Sequence, residues 1–393
     1  MKRPWLPPLL AVLVFLPLIG APLLIDERVL AFEARKWIGL DPLAPWQLPA
    51  GGSGTWRPLL VYAYWLDASA PTFVRHGVNL AVHGATAWLV HRWLAQRLPS
   101  TAALAGACWF AVHPAHVATA GWVAGRADGL MVLAAVGALV VADKRVLLAG
   151  VLGAVAVLFK ETGAVIGPMA LLVAWMGGRS LRGPVAICVG AGLALTASLW
   201  MAVPGAGYLA SAGALDIALS WLPPYAIEVL VPTFVPIGVP SVTRDLLGIV
   251  VALPVVALFI QIGRSDRTWL LGVGLAVLAL LPVAHVLPND GGQWYLLLPS
   301  VGGALAWGAF AVDQRRATIA LTVLFAAFAL YEAAAWGAAS SRVEATLELV
   351  LPSGPEAAPP KQDPRTWPHR GPSFCCGLPY QLFEGEAAQP GSD

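Results

Sequence analysis

Charge is the scarcest feature of this chain. Only 12% of its 393 residues are Asp, Glu, Lys or Arg, whereas 58% are hydrophobic. With a mean hydropathy of +0.72, that balance excludes an ordinary soluble globular domain, which carries roughly twice the charge. Cysteine is scarce as well, with four in all. Cys108 and Cys188 fall in apolar runs, where a free thiol behaves as a small hydrophobe. Cys375 and Cys376 are adjacent, and neighbours in sequence rarely bridge to each other. No zinc-ligand spacing occurs. Two architectures are excluded in the same way. No period of 20 to 50 residues repeats along the chain, which rules out a helical-repeat array. The alternating segments of about ten residues that mark an outer-membrane barrel are also missing.

What is present is a series of long apolar runs rich in Leu, Ala, Val and Gly. The fold class they predict is all-α, a polytopic transmembrane helical bundle. Spans are expected near 5–25, 74–91, 101–113, 129–142, 146–160, 162–178, 184–203, 246–262, 268–288, 295–311 and 317–337, about eleven in all. The first follows Lys2 and Arg3 and ends at Asp26 and Glu27, where a secretory signal would carry a small-residue cleavage site, so it reads as an uncleaved span. The positive-inside rule then places the N terminus in the cytoplasm. The cytoplasmic segments hold the basic pairs Lys2/Arg3, Arg92/Arg97, Lys144/Arg145, Arg179/Arg182, Arg264/Arg267 and Arg315/Arg316.

That topology divides the chain into a transmembrane domain, 1–337, and a short external Pro-rich tail, 338–393. External loops are expected at 26–73, 113–128 and 204–245. The last is apolar but broken at Pro223 and Pro224, and reads as an interfacial or re-entrant element.

One external stretch is too polar for a span and oddly composed for a loop: "HPAHVATAGWVAGRAD", residues 113–128. It places His113, His116, Arg126 and Asp128 at the outer membrane level. Asp26 and Glu27 end the first span at that level. Arg57 lies in "TWRPLL", and Lys160 and Glu161 lie in "FKETG" at a hairpin tip. Four turns thus bring acids and bases to one depth, where ionisable groups are costly and mark function by default. Lys160 and Glu161 have a simpler reading, mutual neutralisation. Inside the bilayer, His76, Asn79 and His83 recur at i, i+3 and i+7, one helical face turned into the bundle. Interhelical hydrogen bonding accounts for that face more simply than a role in chemistry.

Acids and cations at headgroup depth, beside apolar walls, suit transfer from a lipid-linked phosphate donor. The spans hold the lipid chain. Arg or Lys takes up charge developing on the phosphate leaving group, and a carboxylate accepts the proton of the attacking hydroxyl. A cation transporter would instead place its carboxylates near the middle of the spans, where acids are nearly absent from this sequence.

The segment 113–128 resembles the "HP-x-H-x-x-x-x-x-W-x-x-GR-x-D" stretch of GT-C type membrane glycosyltransferases. It is most similar to the transmembrane and tetratricopeptide-repeat O-mannosyltransferases and their bacterial relatives. Further pieces agree in order: Asp26-Glu27, "WRPL" at 56–59, "H-x-x-N-x-x-x-H" at 76–83, "FKETG" at 159–163 and "YLLLPSVG" at 295–302. The likeness covers roughly 20–305 and lacks the repeats. It implies a polyprenyl-phosphate donor carrying a mannose-like sugar, and inverting transfer to an acceptor hydroxyl on the external face.

By the same resemblance Asp26 takes the role of base, with Glu27 as neighbour and Asp128 orienting Arg126 or binding acceptor. Arg57, Arg126 and Lys160, with Glu161, meet donor phosphate or sugar, as do His113 and His116. Headgroup snorkelling for the cations and helix-tip capping for the histidines are the plainer readings. No cofactor is committed. His113, His116 and Asp128 leave a divalent metal open. In the family an arginine precedes the "YLYLPS" segment, whereas Gln293 and Trp294 stand here before Tyr295, which removes one expected cation. The alternative function is a non-catalytic GT-C-like subunit or transporter that binds lipid-linked sugar. Expected partners are that lipid-linked sugar, membrane lipid, and a glycan, lipid or protein acceptor, with no nucleic acid. Composition points to a bacterial inner membrane, and the topology and the resemblance put the site on its periplasmic or external face.

Overall fold

A computed structural model describes residues 3–23, 27, 31, 34, 35, 38, 39, 41–47, 55–202, 267–283 and 293–350. Asp26, the 204–245 segment, the expected span at 246–262, Cys375, Cys376 and most of the Pro-rich tail lie outside the described residues.

The described residues are helical, with no β-strand among them. α1 (Leu6–Phe15) runs into a 3-10 turn, Leu16–Gly20. α2 (Pro58–Asp67), α3 (Thr72–Leu94) and α4 (Ser100–Ala111) follow. Beyond them come α5 (Arg126–Val141), α6 (Val146–Phe159), α7 (Ile166–Met176) and α8 (Arg182–Met201). The C-terminal part contributes α9 (Arg267–Leu280), α10 (Pro299–Asp313) and α11 (Arg315–Val350). Prolines mark several starts: Pro58 and Pro299 open α2 and α10, where a missing N–H costs nothing, and Pro71 and Pro99 stand just before α3 and α4.

Three helical stretches are long and apolar enough to cross a membrane: Val123–Val141, Arg182–Met201 and Arg315–Ala338. Shorter apolar helices accompany them, among them Val146–Phe159 and Arg267–Val283. α11 continues past the point at which an irregular tail was expected to begin, through to Val350. Residues 339–351 contain neither proline nor glycine, and Pro352 is the first residue that would break the helix.

With little polar surface to pair, these helices pack through small residues that let backbones approach. α6 and α8 meet at Gly150 and Gly190, where a Cβ on Gly190 would collide with the Gly150 carbonyl oxygen. α9 and α10 meet in the same way at Gly272 and Gly302. α3 packs on α1, α4 and α5, and so occupies the middle of the bundle. The core is aromatic between α4, α10 and α11. Trp109 stacks on Trp307 with ring centroids 5.6 Å apart, and Phe325 closes on both.

Candidate functional site at one end of the bundle

The segment between α4 and α5 forms three short turns, Pro114–His116, Val117–Gly121 and Val123–Gly125. α4 stops at Ala111 because Pro114 follows. Gly125 holds the last turn tight, since a Cβ there would sit 2.8 Å from the Ala118 carbonyl oxygen. This compact link delivers Arg126 and Asp128 to the first turn of α5, two positions apart on different faces of the helix.

They therefore take different partners. Arg126 is 1% exposed and its guanidinium is almost fully used. Nε donates to Asn79 Oδ1 at 2.8 Å, one terminal nitrogen to the Ala63 carbonyl at 3.1 Å, and the other to the Arg75 carbonyl at 3.0 Å. That last nitrogen also lies 2.7 Å from Asp67 Oδ2. Tyr64 stands beside the guanidinium and donates its hydroxyl to the Ala124 carbonyl at 2.9 Å. Asp128 does not orient Arg126. Its two carboxylate oxygens accept from Lys160 Nζ at 2.8 and 2.7 Å. Lys160 Nζ also sits 4.4 Å from the centre of the Tyr295 ring, a cation–π contact that strengthens where water is excluded.

Lys160 and Glu161 do not neutralise each other. Adjacent in sequence, they diverge as α6 ends and a 3-10 turn begins. Glu161 accepts a two-point fork from Arg57, Nε at 2.8 Å and a terminal nitrogen at 2.6 Å. Burial pushes the Glu161 carboxyl up, but the Arg57 charge and its hydrogen bonds outweigh that and hold it down at about 2. Arg57 is positioned from the far end of α8, where Ser198 Oγ donates to the Trp56 carbonyl at 3.2 Å. Glu27 is buried, and one of its carboxylate oxygens accepts the backbone N–H of Val123. That N–H opens a turn and has no partner within it.

The remaining candidates lie deeper. His76 Nε2 meets the Ala21 carbonyl at 2.8 Å, Asn79 donates to the Trp122 carbonyl at 2.9 Å, and His83 Nε2 meets the Ala111 carbonyl at 3.1 Å. One face of α3 thus fastens three separate chain segments. Asn79, His83, Thr119 and Arg126 line a small cavity together with Val82, Gly129 and Leu297.

His113 and His116 are wholly buried. His113 Nδ1 accepts the Ala115 N–H at 3.2 Å, a cap on the turn beside Pro114, and its ring packs 4.7 Å from Trp109. His116 Nε2 is 2.8 Å from Ser300 Oγ, which gives its own proton to the Leu297 carbonyl. The hydroxyl can therefore only accept from His116, which places a proton on His116 Nε2. Both rings sit in the aromatic core.

Sequence reading missed Asp67, Arg75, Tyr64 and Ser300. Asp67 carried a usable signal, as an acid closing the apolar run "LLVYAYWLD". Arg75 donates to the Asp67 carbonyl at 3.0 Å and to that of Ala68, so it holds the turn after α2. Among the described residues no three His, Cys, Asp or Glu side chains gather as a metal-ligand set.

Exposure is graded across the site. The Arg57 and Glu161 side chains are 13% and 12% exposed, those of Lys160 and Asp128 5% each, and that of Arg126 1%. The Arg57–Glu161 pair is the most exposed of the three.

Over 132 residues, 30% of the chain, the sequence is 33% identical to the Protein O-mannosyl-transferase Tmtc1 of Drosophila melanogaster. The match spans 15% of that protein's length and supports a distant relationship. No protein-family model matches the chain, and no solved structure does.

Proposed function

We propose that the chain is an integral membrane glycosyltransferase that takes a mannose-like sugar from a polyprenyl-phosphate donor. The observation that carries this reading is the meeting, at one end of an apolar bundle, of the Arg57–Glu161 and Lys160–Asp128 pairs beside buried Glu27. The partial likeness to an O-mannosyl-transferase supports it.

In this reading the donor phosphate docks at Arg57, with Lys160 behind it, and its polyprenyl chain lies along the helices. The acceptor hydroxyl attacks the anomeric carbon from the face opposite the phosphate. As the new C–O bond forms, the bond to the phosphate oxygen breaks and its electron pair leaves on the phosphate. The hydroxyl proton passes to the Asp26 carboxylate, with inversion at the anomeric carbon. Arg57 and Lys160 stabilise the phosphate charge as it grows. Glu27, pinned by the Val123 N–H, holds the chain next to Asp26. The proposed setting is a bacterial inner membrane with the site on the periplasmic face, reached from a cytoplasmic N terminus through about eleven spans.

One observation favours a non-catalytic binder of lipid-linked sugar. The cations of three pairs already have carboxylate partners, and Gln293 and Trp294 stand where the family carries arginine. Transfer of radiolabelled sugar from polyprenyl-phosphate donors separates the two readings. Membranes with the wild-type chain should yield a labelled product that is lost with Asp26→Asn and with deletion of the protein. Wild-type activity in Asp26→Asn would remove Asp26 as base. Transfer that is unaltered by deletion, under conditions where the protein is expressed, would favour the binder.

A further inference from the structure

Three turns meet at the end of the bundle away from Arg57. They are the end of α3 (Gln96, Arg97), the α5–α6 turn (Asp143, Lys144, Arg145) and the α7–α8 turn (Arg179, Arg182). Arg179 joins them. One of its terminal nitrogens pairs with Asp143 Oδ2 at 2.7 Å, and the other donates to the Gln96 carbonyl at 2.8 Å. Gln96 Nε2 donates in turn to the Val140 carbonyl at 3.0 Å. Gly183 is pressed against the Ala142 carbonyl, which brings Arg182 beside the α5–α6 turn.

The charge here does not balance. Within these three turns five cations, Arg97, Lys144, Arg145, Arg179 and Arg182, share one acid, Asp143, and Arg179 already engages it. The Arg97 guanidinium lies over Trp93, 4.6 Å from the ring centre and within reach of the Arg179 charge, and its buried Nε has no hydrogen-bond partner. At the other end of the bundle Arg57, Arg126 and Lys160 each have a carboxylate, and Arg75 is held by two backbone carbonyls. Like charges gathered in one place repel, and an anion relieves them.

The neighbouring surface is apolar and open. Leu147, just inside α6, is 86% exposed, and Trp175, one turn before Arg179, is 76% exposed. Val151 on α6 and Leu181 at the start of α8 are exposed as well. Cations therefore stand beside a patch of exposed apolar side chains. A general enrichment of Lys and Arg on one membrane side accounts for their number, but not for the junction that Arg179 makes with Asp143 and Gln96.

We propose that this end holds the phosphodiester headgroup of an anionic membrane lipid, with its acyl chains along the exposed faces of α6 and α8. Basic pockets between helices bind such headgroups. The ligand is distinct from the donor proposed for the opposite end, and neither reading depends on the other.

Trp175 provides the probe. The full chain is reconstituted in phosphatidylcholine bilayers that contain a minor fraction of tail-brominated phosphatidylglycerol or tail-brominated phosphatidylcholine. Subtracting the signal of Trp175→Phe isolates quenching at Trp175. Brominated phosphatidylglycerol should quench more strongly than the choline lipid at equal fraction. Lys144→Ala/Arg145→Ala/Arg182→Ala should lose that preference, by about fivefold per cation removed. Arg315→Ala/Arg316→Ala should keep it, because α11 makes no substantial contact with α6 or α8.

Equal quenching by the two lipids in the wild type overturns the proposal, and so does an equal loss in the Arg315/Arg316 variant. If inorganic phosphate at matched phosphorus abolishes the preference, the cluster is a soluble-phosphate site and the lipid assignment fails.

Discussion

Lys160 and Asp128 are 32 residues apart in sequence, yet the Lys160 ammonium lies 2.7 and 2.8 Å from the two oxygens of one carboxylate. Both side chains are only 5% exposed. The pair joins the end of α6 to the start of α5. Neither charge has enough water around it to stand alone.

Removing one member should therefore cost more than removing both. Asp128→Asn or Lys160→Met alone should destabilise the purified protein by about 3–5 kcal/mol, because each leaves a buried charge without its partner. The double variant should recover part of that loss. Thermal unfolding in detergent of the four proteins gives the coupling, and strictly additive losses would show that the two groups do not depend on each other.

Arg126 should not tolerate lysine. A point charge on a flexible stem cannot reach Asn79, Asp67 and two carbonyls at once. Arg126→Lys should lower stability by about 2–4 kcal/mol through the buried acceptors it abandons. Asp67→Asn, which leaves the guanidinium hydrogen bonds in place, should cost less. The order of the two melting temperatures tests this.

Glu161 sets a pH dependence with a defined sign. Its folded-state value, about 2, lies below the ordinary 4.5. The stability it contributes is fully present above pH 4.5 and declines as pH falls towards 2. The stability gap between wild type and Glu161→Gln should be flat from pH 7 to 5 and shrink below that. A gap that widens on acidification would mean that Arg57 does not hold Glu161 ionised.

Close backbone approach makes the α6–α8 contact sensitive to a single methyl. Gly190→Ala should destabilise by about 1–3 kcal/mol through overpacking, since its Cβ meets the Gly150 carbonyl. Gly192→Ala, two residues on and facing open space, should be neutral or stabilising. Equal effects at the two positions would show that helix propensity, not contact, governs this face.

Much of the helical framework was legible from the apolar runs. The run 146–160 became Val146–Phe159, and 184–203 became Arg182–Met201. Both are bounded by charge or proline, which marks helix ends locally. The end of α11 was misjudged because general tail composition outweighed the local absence of a breaker before Pro352. Site residues were legible as types, since an isolated charge in apolar sequence stands out. Their partners were not.

By itself, then, the sequence determined that the chain is helical and apolar, where most of its helices begin, though not α2 inside the expected loop 26–73, and which polar residues stand near helix ends. These are properties of composition and of contacts only a few residues apart. Only the tertiary structure decided that Asp128 serves Lys160, that Arg57 serves Glu161, that Arg126 takes Asp67, and that His113 and His116 sink into the aromatic core. A residue's chemical type is written at its own position, whereas an ion pair depends on a distance between helices. That distance is set by how closely residues such as Gly150 and Gly190 let the backbones come together.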